Sequence, residues 1–244
     1  MTTAAAVALT LLVMVVVNVW VHVGPRRAHP VTGPLAAALL LLVGRSAGLS
    51  WAELGLGRES LVRGLAWGGA AAGVVAVGYA VGVTVPATRT LFRDTRYRVG
   101  PGSALAMAFV TIPLSTVVFE EVAFRGVLWG LVAADHGPWW ATGVSAALFG
   151  LWHVLPALDL LQTNQTLQTD GGGRRRVWTV VGTVAFTTLA GLVFGELRHR
   201  TGSLLGPMLL HWATNGLGVL AAARVWALSP QRPPARRHRP SSSG

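Results

Sequence analysis

Apolar residues in this chain come in long blocks, separated by short polar or Gly/Pro-rich stretches. The first block, Ala4 to Val23, has about the 20 residues that a membrane-spanning helix needs. No Arg or Lys precedes it and no small-residue cleavage site follows it before Arg26 and Arg27, so it reads as a retained helix and not a signal peptide. A second run starts at Pro34 and is interrupted by Arg45. Leu54 to Leu65 carries Leu at roughly helical spacing with Arg58, Glu59 and Arg63 between, which predicts an interfacial amphipathic turn or short helix. Leu65 to Val85 is a span rich in Gly and Ala, residues that let helices approach closely in a membrane. After a basic loop (86–102) comes a long helix, Ser103 to Ala133, which Pro113 should kink about two turns before Glu120 and whose second half carries a GxxxG face at Gly126 and Gly130. A turn at 135–138 leads to Trp139 and Trp140, interface anchors for a span that ends near Leu155. The polar stretch Gln162 to Arg176 reads as a mobile loop. Val177 to Leu197, with a second GxxxG pair at Gly191 and Gly195, and Ser203 to Leu228 complete the set.

This pattern predicts an all-α fold, a polytopic transmembrane bundle of about seven to eight helices. Composition agrees: over 244 residues, 52% are hydrophobic, 12% are charged, and mean hydropathy is +0.54, outside the range of ordinary soluble domains. The absence of cysteine excludes disulfides, thiolate zinc ligands and a cysteine nucleophile. The net charge of +11 comes from 20 basic residues, all of them Arg. They flank the apolar runs and do not alternate with exposed aromatics, so they report topology and not nucleic-acid binding. With seven spans, 14 Arg fall on one side and five on the other, which predicts an external N-terminus and a cytoplasmic C-terminus in a multi-pass plasma-membrane protein. The organisation expected is N-terminal helices and basic loop over 1–102, a functional membrane core over 103–228, and a disordered basic tail over 229–244.

The chemistry concentrates where charge interrupts the apolar helix 103–133. Glu120 and Glu121 are adjacent carboxylates in a run where one ionisable group costs about 2.5–3.5 kcal/mol, so they are candidate functional residues. Glu121 and Arg125 lie four apart and can form an ion pair that holds the helix. Glu120 points about 100 degrees away, toward a cavity, where partial desolvation makes it a better proton acceptor. His153 and His211 are the two histidines within spans. His153 can share a proton with Glu120 and a water, with Phe149 one turn back supporting its rotamer. His211 and Asn215 share a helical face and can donate to a developing oxyanion. Together these residues suit water activation. A zinc ion on Glu120, His153 and His211 is the metal alternative that the residue types allow, although no HExxH helix is present; no cofactor is firmly indicated.

The strings EEVAFRG (120–126), FGLWH (149–153) and HWATN (211–215) resemble the three motifs of the CAAX-protease and bacteriocin-processing (CPBP, or Abi) family of intramembrane endopeptidases, and TGSLLGPMLLH (201–211) resembles the lead-in to the third. The resemblance covers about residues 103–220. It implies peptide-bond hydrolysis in a conical cavity within the membrane, by glutamate-type or metal chemistry. Glu120 and His153 would activate the water and His211 and Asn215 would form the oxyanion pocket, on a protein or peptide substrate, membrane-anchored ones included. Two other classes fit intramembrane Glu, His and Arg: a non-catalytic peptide-binding or immunity protein, and a small-solute or proton transporter. No internal repeat supports the transporter.

Overall fold

In the computed structural model, residues 1–163 and 172–229 are described. They form an all-helical bundle with eight principal helices and no strand among the described residues. These are α1 (Thr3–Val23), α2 (His29–Ser46), α3 (Leu61–Thr84), α4 (Pro101–His136), α5 (Pro138–Trp152), α6 (Val154–Thr163), α7 (Gly172–Thr201) and α8 (205–228). The basic tail expected beyond 229 and the middle of the expected 162–176 loop lie outside the described residues.

Among the described residues five helical stretches are long and apolar enough to cross a bilayer: α1, α3 with the turn before it, α4, α5 continued into α6 (Pro138–Asp159), and α7. Their outer faces are apolar as well: Val62 is 80% and Val74 74% exposed, and Phe186 and Leu189 point outward from α7. Such a surface is stable against lipid and unstable in water. The chain is a multi-pass membrane protein.

α4 is the centre of the bundle. From Phe119 to Leu131 every residue is buried, packed with Leu40, Leu54, Phe149 and Leu204 from the surrounding elements. The helix runs unbroken through Pro113, so the expected kink takes another form. Pro113–Val117 is a π-helical turn, one of three in α4 with Met107–Thr111 and Val122–Leu128, and α8 has one at Ala213–Leu217. A π turn shifts hydrogen bonds by one residue and frees carbonyls, which must find donors in an apolar medium. Side chains supply them. Trp212 donates to the Ala108 carbonyl at 2.9 Å, Ser145 to Phe124 at 2.9 Å, Arg198 to Arg125 at 3.1 Å and Tyr79 to Thr214 at 2.6 Å.

Several sequence expectations change in this setting. α2 starts at His29 and takes Pro34 into its interior, because the first turn tolerates Pro30 and the helix continues past Pro34 to Ser46. α7 starts at Gly172, so the Arg triplet is helical and not loop. The segment before α3 is not an interfacial helix. It is a run of turns in which Leu54 is fully buried under α4, followed by a single 3-10 turn, Arg58–Ser60. Ser50 and Glu53 cap each other there, and the Ser50 hydrogen bonds hold the Glu53 carboxyl below its usual range. Gly130 faces this turn: a Cβ there would sit 3.2 Å from the Glu53 carbonyl, so the first GxxxG pair admits a turn and not a helix. The second pair does join helices. A Cβ on Gly191 would lie 2.9 Å from Ala146 Cα, and one on Gly195 2.7 Å from Thr142, which lets α7 close onto α5. Arg198, counted above as a topology residue, is buried. It donates to the Arg125 carbonyl and, at 2.6 Å, to that of Glu53, and stacks on Trp129.

Candidate active site

Glu120 and Glu121 occupy the short α-helical turn Val118–Glu121, between two of the π segments of α4. The pair diverges as helical geometry requires, and each carboxylate meets a different set of neighbours.

Glu121 is fully buried. Its Oε1 accepts from Arg125 Nη1 at 3.1 Å and from His211 Nδ1 at 2.7 Å. Arg125 is fully buried too, and its guanidinium lies 4.1 Å from the Phe149 ring centroid and 4.9 Å from that of Phe194. This aromatic cage offsets lost hydration through cation–π attraction. The expected Glu121–Arg125 pair is present, but Glu121 does more than hold its own helix, because it also grips α8 through His211.

His211 is the hub. Buried and stacked 5.2 Å from Phe194, it uses Nδ1 on Glu121 and Nε2 on Asn215 Nδ2 at 3.1 Å, with Glu120 Oε2 3.8 Å from Nε2. A short contact from Nδ1 to a carboxylate requires the proton on Nδ1, which leaves Nε2 to accept from the Asn215 amide.

Glu120 accepts at Oε1 from the Trp152 indole at 3.0 Å, and its Oε2 is a buried acceptor with no hydrogen-bond partner among the described residues. Glu121 Oε2 and Arg125 Nε are unpaired as well, but of the two carboxylates only Glu120 lines a cavity. Glu120, His153 and Asn215 line one cavity of about 650 Å³, whereas His211 stands behind its wall. His153 sits at the turn between α5 and α6, inside the candidate span Pro138–Asp159, as expected. Its Nδ1–H donates to the Phe149 carbonyl at 2.7 Å and its ring packs 4.6 Å from Phe149, so Nε2 carries the lone pair. Phe149 thus fixes the His153 rotamer, as expected, and covers Arg125 as well.

The cavity opens at the end of the bundle formed by the C-terminal halves of α1 and α8, the N-terminus of α2 and the 86–98 loop. The loop is pinned to α8 where Trp226 donates to the Asp94 carbonyl at 2.8 Å, and its Asp94–Arg96 pair (2.7 Å) and Tyr97 line the wall. Burial raises the Tyr97 hydroxyl above its ordinary range. Trp152, whose place beside a motif histidine suggests a cavity wall, does line it and also orients Glu120; Asn18 of α1, which donates to the Trp152 carbonyl at 3.2 Å, lay beyond sequence reasoning. An Asn within an apolar run was a visible flag; its target on α5 was not.

The residues do not fit the zinc alternative. Both ring nitrogens of His211 are engaged and the ring faces away from the cavity, and among the described residues no three His, Asp or Glu side chains stand together as metal ligands. No step is therefore routed through a metal.

Residues 102–217 match the family model described as Rce1-like, type II CAAX prenyl endopeptidase, a region that takes in the two glutamates, both histidines and Asn215. Comparison with curated proteins and with solved structures gives no match. Through residues 102–217, slightly under half its length, the chain is similar to the CAAX prenyl endopeptidase family, and its buried carboxylate–histidine cluster lies wholly inside the matched region.

Proposed function

We propose that the protein is an intramembrane endopeptidase in which Glu120 is the general base. The observation that carries this reading is the unpaired, buried Oε2 of Glu120, a residue that lines the same cavity as His153 and Asn215.

In the proposed reaction a water in the cavity donates one proton to Glu120 Oε2, and its other hydrogen bonds to His153 Nε2. The water oxygen attacks the scissile carbonyl carbon, and the carbonyl oxygen becomes an oxyanion. Asn215 supplies the donor: one of its amide hydrogens holds His211 Nε2, and the second is free for the oxyanion. His211 is then a positioning residue, in place of the direct oxyanion contact expected from the sequence. When the intermediate collapses the C–N bond breaks, and the proton on Glu120 passes to the departing amine, which restores the carboxylate. Glu121 and Arg125 hold His211 and the helix in register throughout.

The cavity mouth lies at the bundle end that carries the four Arg of the 86–98 loop, the Arg-rich and hence cytoplasmic side by the positive-inside bias. The substrate is a protein or peptide that reaches the cavity from that face of the plasma membrane. The name of the matched family makes a prenylated C-terminal CAAX segment the first substrate to try. The transporter and immunity readings have no observation of their own in the structure.

Membrane proteomics on cells carrying the wild type or Glu120→Gln tests the reading. Uncleaved forms of one or a few membrane proteins should accumulate in the variant. Identical C-terminal and internal peptide inventories in the two strains would count against it.

A further inference from the structure

A second concavity, of about 560 Å³, lies on the lipid-facing side between α3, α5 and α7, bounded below by Leu210 of α8. It sits toward the opposite end of the bundle from the cavity mouth, near the C-terminal end of α7 and the start of α5. Its floor is apolar, formed by Leu192, Val193 and Leu197 together with Ala71. Trp67 and Trp139 stand at its sides, both more than half exposed, where interface tryptophans belong. From Leu192 to Arg200 the groove rises roughly 12 Å along α7, enough for much of one acyl chain within a leaflet.

The polar groups at the rim are Glu196 and Arg200. Glu196 Oε1 meets Arg200 Nε at 2.6 Å, and the arginine side chain is 62% exposed. The pair uses Nε, so the two terminal guanidinium nitrogens of this exposed side chain, with no acceptor among the described residues, are left for a phosphate. The carboxylate beside them suits an ammonium group. An adjacent cation and anion above a one-chain groove are complementary to a zwitterionic headgroup. An anionic headgroup would meet Glu196 as a like charge.

We propose that this groove is a binding site for a phospholipid whose headgroup carries both a phosphate and a primary ammonium, with the phosphate on Arg200, the ammonium on Glu196 and one acyl chain along Leu192, Val193 and Leu197. The site is independent of the peptidase reading and uses none of the cavity residues.

Gly143 provides a clean probe. It lines the groove, and a Cβ built on it meets no atom within 4 Å, so a larger side chain there fills the groove without pressing on the fold. Purified full-length protein would be examined by native mass spectrometry with dioleoyl phosphatidylethanolamine, phosphatidylglycerol or phosphatidylcholine. The expected result is retention of phosphatidylethanolamine about tenfold better than phosphatidylglycerol, the effect of one charge-assisted hydrogen bond. Gly143→Leu should abolish that retention, and Glu196→Gln should remove the headgroup preference while leaving weak retention. Equal retention of all three lipids, a preference for phosphatidylglycerol, or retention unchanged in Gly143→Leu would each overturn the proposal. So would a dimer that lacks bound lipid and is broken by Gly143→Leu.

Discussion

The Trp152 indole N–H reaches Glu120 Oε1 at 3.0 Å, and this single bond decides which oxygen of the carboxylate is left for chemistry. Oε1 is occupied, and Oε2 is left without a hydrogen-bond partner, 3.8 Å from His211 Nε2. Trp152→Phe keeps the ring packing against Phe119 and Phe124 but removes the donor. Hydrogen bonds to charged groups contribute about 1.5–3 kcal/mol, so kcat should fall about 10- to 100-fold. Thermal stability in detergent should change little. Trp152→Ala should lose both activity and stability, which separates orientation from packing.

Asn215→Ala removes the one amide that both fixes His211 and faces the cavity. Loss of an oxyanion donor typically costs about 10²–10³ in kcat. The expected signature is that fall in kcat with KM within a few-fold of the wild type. A change confined to KM would assign Asn215 to substrate binding instead.

Arg125 is a buried cation whose charge partner is Glu121. Arg125→Met strands a buried carboxylate, and breaking a buried pair this way destabilises by about 3–5 kcal/mol. Arg125→Met combined with Glu121→Gln should be less destabilised than Arg125→Met alone, a non-additive result readable from a double-mutant cycle of unfolding in detergent.

Gly191→Leu should prevent α7 from closing onto α5, since even a Cβ there comes within 2.9 Å of the Ala146 backbone. The protein should fail to accumulate in membranes or lose its thermal transition. Gly182→Leu, on the same helix with open space around it, should behave as the wild type.

Contacts that run along a single helix were legible in the sequence. The four-residue spacing of Glu121 with Arg125 and of His211 with Asn215 predicted pairs that the structure contains, at 3.1 Å in both cases. The apolar blocks gave the helical bundle, and the paired carboxylates located its centre. Contacts that depend on how helices meet were not legible. Nothing in the sequence says that His211 reaches across to Glu121, that Trp152 and not His153 holds Glu120, or that Arg198 leaves the interface to cap a π-turn carbonyl. The π turns were equally hidden, because those at 107–111, 122–128 and 213–217 are accommodated by donors from other helices. Gly130 shows the same limit: its motif specifies close approach, and only the tertiary structure specifies that a turn fills the space.

The central claim is that Glu120 is the base. Its most direct measurement is the single-turnover cleavage rate of a prenylated CAAX peptide by purified protein in lipid vesicles, wild type against Glu120→Gln, with the unfolding transition recorded for both. The account predicts a rate lower by at least about 10³-fold in the variant, within the range of losing a general base, with the unfolding transition preserved. Cleavage by Glu120→Gln at the wild-type rate would contradict it.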